Sequence, residues 1–549
     1  MSRRMQYAAL AGTLALALGS GHAVAAPEGE RTAPLFENMG SHHHAVTTQS
    51  EEAQKYFDQG LILLYGFNHA EAVRSFKEAA RLDPDCAMCF WGWGLALGPN
   101  INKAMDEADV PEAFEAARKA LELAKAGHAS PVEKALIEAL ATRYPASGLA
   151  DRSERDNAFA DAMRDVATRF PEDLDASTLF AESVMDLTPW DYHEESGEAK
   201  PTTREVVAVL ESVLQRNENH PGAIHYYIHA VEASNTPERA EPGADRLISL
   251  VPAAGHLVHM PAHIYLRVGR YDDAVVANEK ASAADESYID QCNAQGFYPA
   301  MYYPHNIHFL WFSATLEGRS RMAHDASRRL VRNVPEEMIA KFPGLQAFKP
   351  IPIFSLVRFG AWDEILKEEA PPAGEVYTSA MWQYAQGLAS LKSGRNDEAM
   401  ARFKSLSKLA KSKGIKALDK EFPARRLSKI AMLILKGEMA GAGGDHDKRV
   451  KALAEAVRVQ DTLPYTEPPH WYYPVRQSLG AALLAAGRPA EAEAVYRTDL
   501  EKTPRNGWSL FGLARSLEAQ GKAAEADEAE AGFKTAWVRA DFELSASAL

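Results

Sequence analysis

A stretch of 29 residues, YFDQGLILLYGFNHAEAVRSFKEAARLDP (Tyr56–Pro84), constrains this chain more than any other segment. Apolar and small residues recur along it at helical spacing, Phe67-Asn68 interrupts them, and a second amphipathic run ends at Asp83-Pro84. Neither helix can bury its apolar face alone, so the pair must pack on itself and on further copies. The pattern returns at Tyr265–Ala281, Leu391–Phe403 and Leu479–Pro504, and more loosely at Leu513–Ala529. No segment shows strand alternation, and 549 residues exceed what one compact core holds. An all-α chain of stacked helix pairs is expected.

Gly60, Ala72, Phe76, Ala79 and Pro84 stand where the tetratricopeptide repeat places its small, aromatic and terminating residues, and the unit resembles that family. The resemblance implies a tetratricopeptide-type α-solenoid of stacked antiparallel helix pairs, with a concave face that commonly binds a protein or peptide partner. Irregular insertions are expected at Asn100–Pro111, around Asp191–Pro201 and at Pro343–Ala373. The expected organisation is a signal peptide over 1–25, a segment with a histidine tract over 26–52, and helical repeats over 53–200. Histidine-rich central repeats over 201–340 follow, then a connector over 341–375 and C-terminal helical repeats over 376–549.

The central repeats carry the chemistry. Eight of the 18 histidines lie between His220 and His308, against about three for an even spread. His225 and His229 recur 34 residues later as His259 and His263, and His256 and His259 recur 49 residues later as His305 and His308. A period near 34 is that of a stacked helix pair, so one face of successive helices carries imidazole. His220 falls outside that register and reads as a helix-entry residue. Gly269 and Gly318, also 49 apart, mark the turns after the second and third stripes. Pro221 and Pro304 suit the first turn of their helices, whereas Pro261 lies inside one and should kink it.

Packed helices lie about 8–10 Å apart, close enough for imidazoles on neighbouring helices to share an ion. The expected metal ligands are His225, His229, His256, His259, His263, His305 and His308, lining the concave groove. Glu232 is the one nearby carboxylate and can serve as ligand, orienting partner or catalytic general base. So many nitrogen donors disfavour magnesium and calcium and suit copper, zinc or iron, copper being favoured. Six histidines split three and three would resemble the dicopper sites of the tyrosinase and haemocyanin families, in ligand type only. Tyr226, Tyr227, Tyr265, Tyr302, Tyr303 and Trp311 read as packing residues around the stripes. Trp190-Asp191-Tyr192-His193 and Pro469-His470-Trp471-Tyr472-Tyr473-Pro474 are further candidates. His42, His43 and His44 read as a flexible tail, a lid or a metal-capture tract.

Standard catalytic motifs are absent from the sequence: there is no HExxH, GxSxG or GxxxxGK[ST]. The expected function is a metal-dependent enzyme acting on a small molecule, an oxidoreductase ahead of a hydrolase. The alternatives are a non-catalytic metal-binding or delivery protein and a protein-interaction scaffold. The balance of 60 basic to 75 acidic residues excludes non-specific nucleic-acid binding.

Arg3 and Arg4, the apolar run Tyr7–Leu18 and Ala23-Val24-Ala25 form an export signal with its cut after Ala25. The run is too short to span a bilayer, so the mature protein is expected in the periplasm or secreted, by the general or the twin-arginine route. Of three cysteines, Cys86 and Cys89 form C-A-M-C, which fits an oxidised bridge, a soft-metal clip or two packed thiols.

Overall fold

The computed structural model describes residues 31–144, 152–294, 296–334 and 336–548. The expected signal peptide over 1–25 lies outside them. Among the described residues the fold is all-α, a succession of helix pairs, with isolated bridges only at Asn100–Lys103 and His193–Ala199. None of the described helices is long and apolar enough to cross a membrane.

The first helix pair shows how sequence sets the repeat. Ser50 caps Glu51–Tyr65 by accepting the Ala53 N–H, and the helix stops at Gly66. Phe67 then takes φ +55°, which turns the chain into His69–Leu82. The Phe76 ring fills the space left by two glycines: a Cβ on Gly60 would sit 2.8 Å from it, and one on Gly92, in Ala87–Ala96, 2.4 Å. These three positions are spaced 16 and 16. The same spacing recurs near the C-terminus, where Tyr496 lies between Gly480 and Gly512, whose Cβ atoms would come within 2.3 and 2.2 Å of it. A small residue before and after one large ring is therefore the locking element of both helix stacks.

The other expected units also form consecutive helices: Pro261–Val268 then Tyr271–Cys292, Val376–Lys392 then Asn396–Ala410, Arg476–Ala485 then Pro489–Lys502, and Gly507–Glu518 then Ala523–Ala536. Gly269 and Gly318 occupy the turns at φ +78° and +72°. Each also has no room for a side chain, with the Pro504 carbonyl and the Trp537 ring respectively against it. Pro304 differs from expectation. Its helix runs Phe297–Leu316, so the proline lies inside it and withholds one backbone donor instead of occupying the first turn. The 343–373 region is irregular but contains short helices, Ile351–Arg358 and Trp362–Ile365, after a 3-10 turn at Pro343–Ala347.

The chain forms two compact units. One holds the described residues through Ile264 with Lys280–Pro299; the other holds Tyr265–Glu279 with the described residues from Ala300 onward. The histidine-rich segment contributes to both. Cys86 and Cys89 are joined as a disulfide in the first unit, the oxidised bridge among the three alternatives.

Candidate metal centre

Two short elements of the first unit carry the centre. His220 caps the helix Pro221–Val231, its Nδ1 accepting the Ala223 N–H at 3.2 Å, and Pro221 takes the first helical position. His225 and His229, four residues apart, then share a face. Gly222 admits the Tyr65 ring, which would lie 2.6 Å from a Cβ there. The second element is broken where Pro261 predicts: Gly255–His259 ends, and Pro261–Val268 begins after Met260. The break keeps His259 and His263 facing each other, their Nε2 atoms 3.0 Å apart.

These two elements gather five imidazoles. His225 lies 4.8 Å from His229 and 5.0 Å from His256 between ring centroids, and His256–His259 and His259–His263 follow at 5.8 and 4.9 Å. His225, His229 and His256 each offer a ring nitrogen within 4.8 Å of the other two. All five residues are 0–3% exposed. The groove-lining position expected from the repeat geometry is thus corrected to a buried one, because Phe67 closes over the stripe. Its ring lies 4.6 Å from His225, 6.1 Å from His229 and 5.5 Å from His256.

Hydrogen bonds fix which nitrogen faces inward. His225 Nδ1 donates to the Tyr65 carbonyl at 2.5 Å, and His229 Nδ1 donates to Glu232 Oε1 at 2.9 Å. His263 Nδ1 lies 2.5 Å from Glu232 Oε2. With Nδ1 of His225 and His229 carrying the proton, their Nε2 atoms hold the lone pairs. The Nε2 atoms of His225 and His229 are buried without a hydrogen-bond partner. An unsatisfied buried polar atom costs about 1–3 kcal/mol, a cost that coordination of an ion removes. Burial holds both imidazoles below their ordinary pKa, which keeps them neutral and able to coordinate. Burial opposes ionisation of Glu232, but the His263 and His229 imidazoles outweigh it and hold the carboxyl below its usual range. Glu232 therefore sits as the carboxylate that orients two imidazoles, the arrangement common behind metal-bound histidines.

Two residues beside the imidazoles hold uncommon backbone. Phe67 and Trp190 have φ +55° and +63°, and the Trp190 ring meets His229 edge-on at 5.2 Å. For bulky residues this conformation costs of order 1–3 kcal/mol and concentrates at functional sites. Trp190 stood out in the sequence. Phe67 registered there only as a helix interruption, and Tyr65 not at all.

The remaining two expected ligands belong to the second unit. His305 packs on Phe309 at 4.9 Å. His308 stacks on Trp311 at 5.5 Å with Phe348 against its edge, and burial together with His470 pulls its pKa down to about 3.

No protein-family model matches the chain, and no curated protein matches it. Among solved structures the chain is similar to the human IFIT1 dimer with m7Gppp-AAAA, at 12% identity and a TM-score of 0.32, covering 89% of this chain and 91% of that one. It is also similar to the APC/C hetero-tetramer Cut9-Hcn1, at 12% identity and a TM-score of 0.29, covering 88% and 76%.

Proposed function

We propose that this is an exported tetratricopeptide-repeat metalloprotein whose buried histidine centre holds a transition-metal ion, copper ahead of zinc or iron. The observation that carries the reading is the pair of buried, neutral Nε2 atoms on His225 and His229, directed by Nδ1 hydrogen bonds and grouped with His256. Three converging imidazoles suit copper or zinc, and His259 and His263 extend the donor set. The disulfide between Cys86 and Cys89 supports export, since such bonds persist in oxidising compartments.

The test is elemental analysis of mature protein purified without a histidine tag or chelator, beside His225→Gln/His229→Gln. One or two tightly held ions in the wild type, lost in the variant, support the reading. A metal-free wild type that takes up neither copper, zinc nor iron overturns it.

A second reading, a metal-dependent oxidoreductase acting on a small molecule, is favoured by the strained backbone of Phe67 and Trp190 beside the imidazoles. It predicts oxygen consumption by the copper-loaded protein with small organic reductants, abolished in the same variant. Loaded protein without turnover leaves a metal-binding or delivery role.

A further inference from the structure

The histidine tract of the N-terminal segment is not a free tail. His43 Nδ1 meets Asp58 Oδ2 at 2.8 Å, the His44 N–H donates to Asp58 Oδ1, and Gln54 Nε2 donates to the His44 carbonyl at 2.9 Å. The extended tract is thereby fastened along the helix Glu51–Tyr65. Its other side meets the start of the helix Leu174–Met185, which Asp173 caps through the Ala176 N–H.

Asp175, in the first turn of that helix, is the hub. His42 Nε2 lies 2.9 Å and His220 Nε2 3.2 Å from its Oδ1, the Tyr65 hydroxyl donates to the same oxygen at 2.6 Å, and His44 Nδ1 lies 2.9 Å from Oδ2. Three imidazoles converging on one carboxylate exceed what an ordinary structural aspartate requires. The cluster also differs from the buried centre in its surroundings. It forms a wall of an open cavity of about 600 Å³ that Glu172 and Asn219 also line. The carboxylates of Glu172, Asp173 and Asp175 there suit a cation.

We propose that His44, Asp173 and Asp175 form a second, solvent-facing site for a divalent metal ion of the zinc type. Their ligand atoms lie within 4.8 Å of one another. Two atoms bonded to one zinc ion sit about 3.3 Å apart in tetrahedral geometry, so replacing the proton between His44 and Asp175 by an ion moves the pair by only tenths of an ångström. His220 is an orienting partner, because its Nδ1 accepts the Ala223 N–H and its Nε2 must carry the proton given to Asp175. His42 and Tyr65 hold the same oxygen. One imidazole and two carboxylates then face the ion, and water from the cavity completes its coordination.

The experiment is zinc titration of the full mature protein by calorimetry, comparing wild type, His44→Gln/Asp173→Asn and His225→Gln/His229→Gln. The outer double variant is expected to lose one equivalent of zinc, or to weaken it at least about 10-fold, while the central variant keeps it. Failure of the buried centre leaves this equivalent in place, so the two readings fail separately. Unchanged stoichiometry and affinity in His44→Gln/Asp173→Asn overturns the proposal. Should that variant not fold, zinc-soaked wild-type crystals decide. An anomalous peak among His44, Asp173 and Asp175 supports the site, and no peak there overturns it.

Discussion

Replacing Glu232 by glutamine tests whether the buried imidazoles are organised for an ion. Both carboxylate oxygens meet an Nδ1, of His229 at 2.9 Å and of His263 at 2.5 Å, and Glu232 is 1% exposed. A glutamine can accept from one imidazole, but its amide group presents N–H to the other. Two donors then face each other in a site closed to water. One imidazole must shift its proton to Nε2, the atom that would otherwise hold the ion, or leave its position. A lost hydrogen bond to a charged group costs about 1.5–3 kcal/mol, and apo-protein stability in denaturant is expected to fall by that amount. Metal affinity is expected to fall about 10–100-fold, as for other carboxylates that orient metal-bound histidines. Chelator competition with copper and zinc reads the second effect independently of the first. Affinity unchanged in a variant that is destabilised would refute the reasoning, leaving Glu232 a purely structural partner of two core histidines.

Two further perturbations address the fold. Phe76→Ala and Tyr496→Ala each empty the space between two glycines and should cost about 3–5 kcal/mol, read as a lowered denaturant midpoint; a cost under about 1 kcal/mol would sink the locking role. The buried Glu182–Asp186 pair gives a pH dependence: burial raises Glu182 to about 7 from 4.5, against the opposing charge of Arg143, and burial together with Glu182 raises Asp186. The folded protein then binds more protons than the unfolded chain between those values, so stability falls as pH rises through that window. Glu182→Gln should flatten this slope in denaturant titrations between pH 5 and 7, and an unaltered slope would contradict the assignment.

How much of this was legible depended on whether the constraint was local. Tyr56–Pro84 declared its helix pair because periodicity, a break and a terminator all fall within one unit. The five imidazoles of the first unit were legible for the same reason: His225 with His229, and His259 with His263, are four residues apart, and Pro261 announces a break that the structure contains. The burial of the stripe was not legible. It depends on Phe67, whose ring reaches His225 across 158 positions of sequence only because a left-handed residue turns it there. Nor was the docking of the histidine tract, since His44 and Asp175 are 131 residues apart and no periodicity connects them. Pro304 failed for a subtler cause: a proline compatible with a first turn is also tolerated inside a helix whose packing offsets one missing bond. The contrast bears on function. The repeat pattern places imidazoles on one helix face, but partners remote in sequence decide whether that face is a groove for a ligand or a closed interior. Phe67 closes over it, and Phe67 and its neighbour at the site, Trp190, both adopt backbone that a bulky residue avoids. Packing alone could be met by a relaxed side chain at either position. Strained backbone packed directly against buried imidazoles is the stronger reason to expect an ion inside.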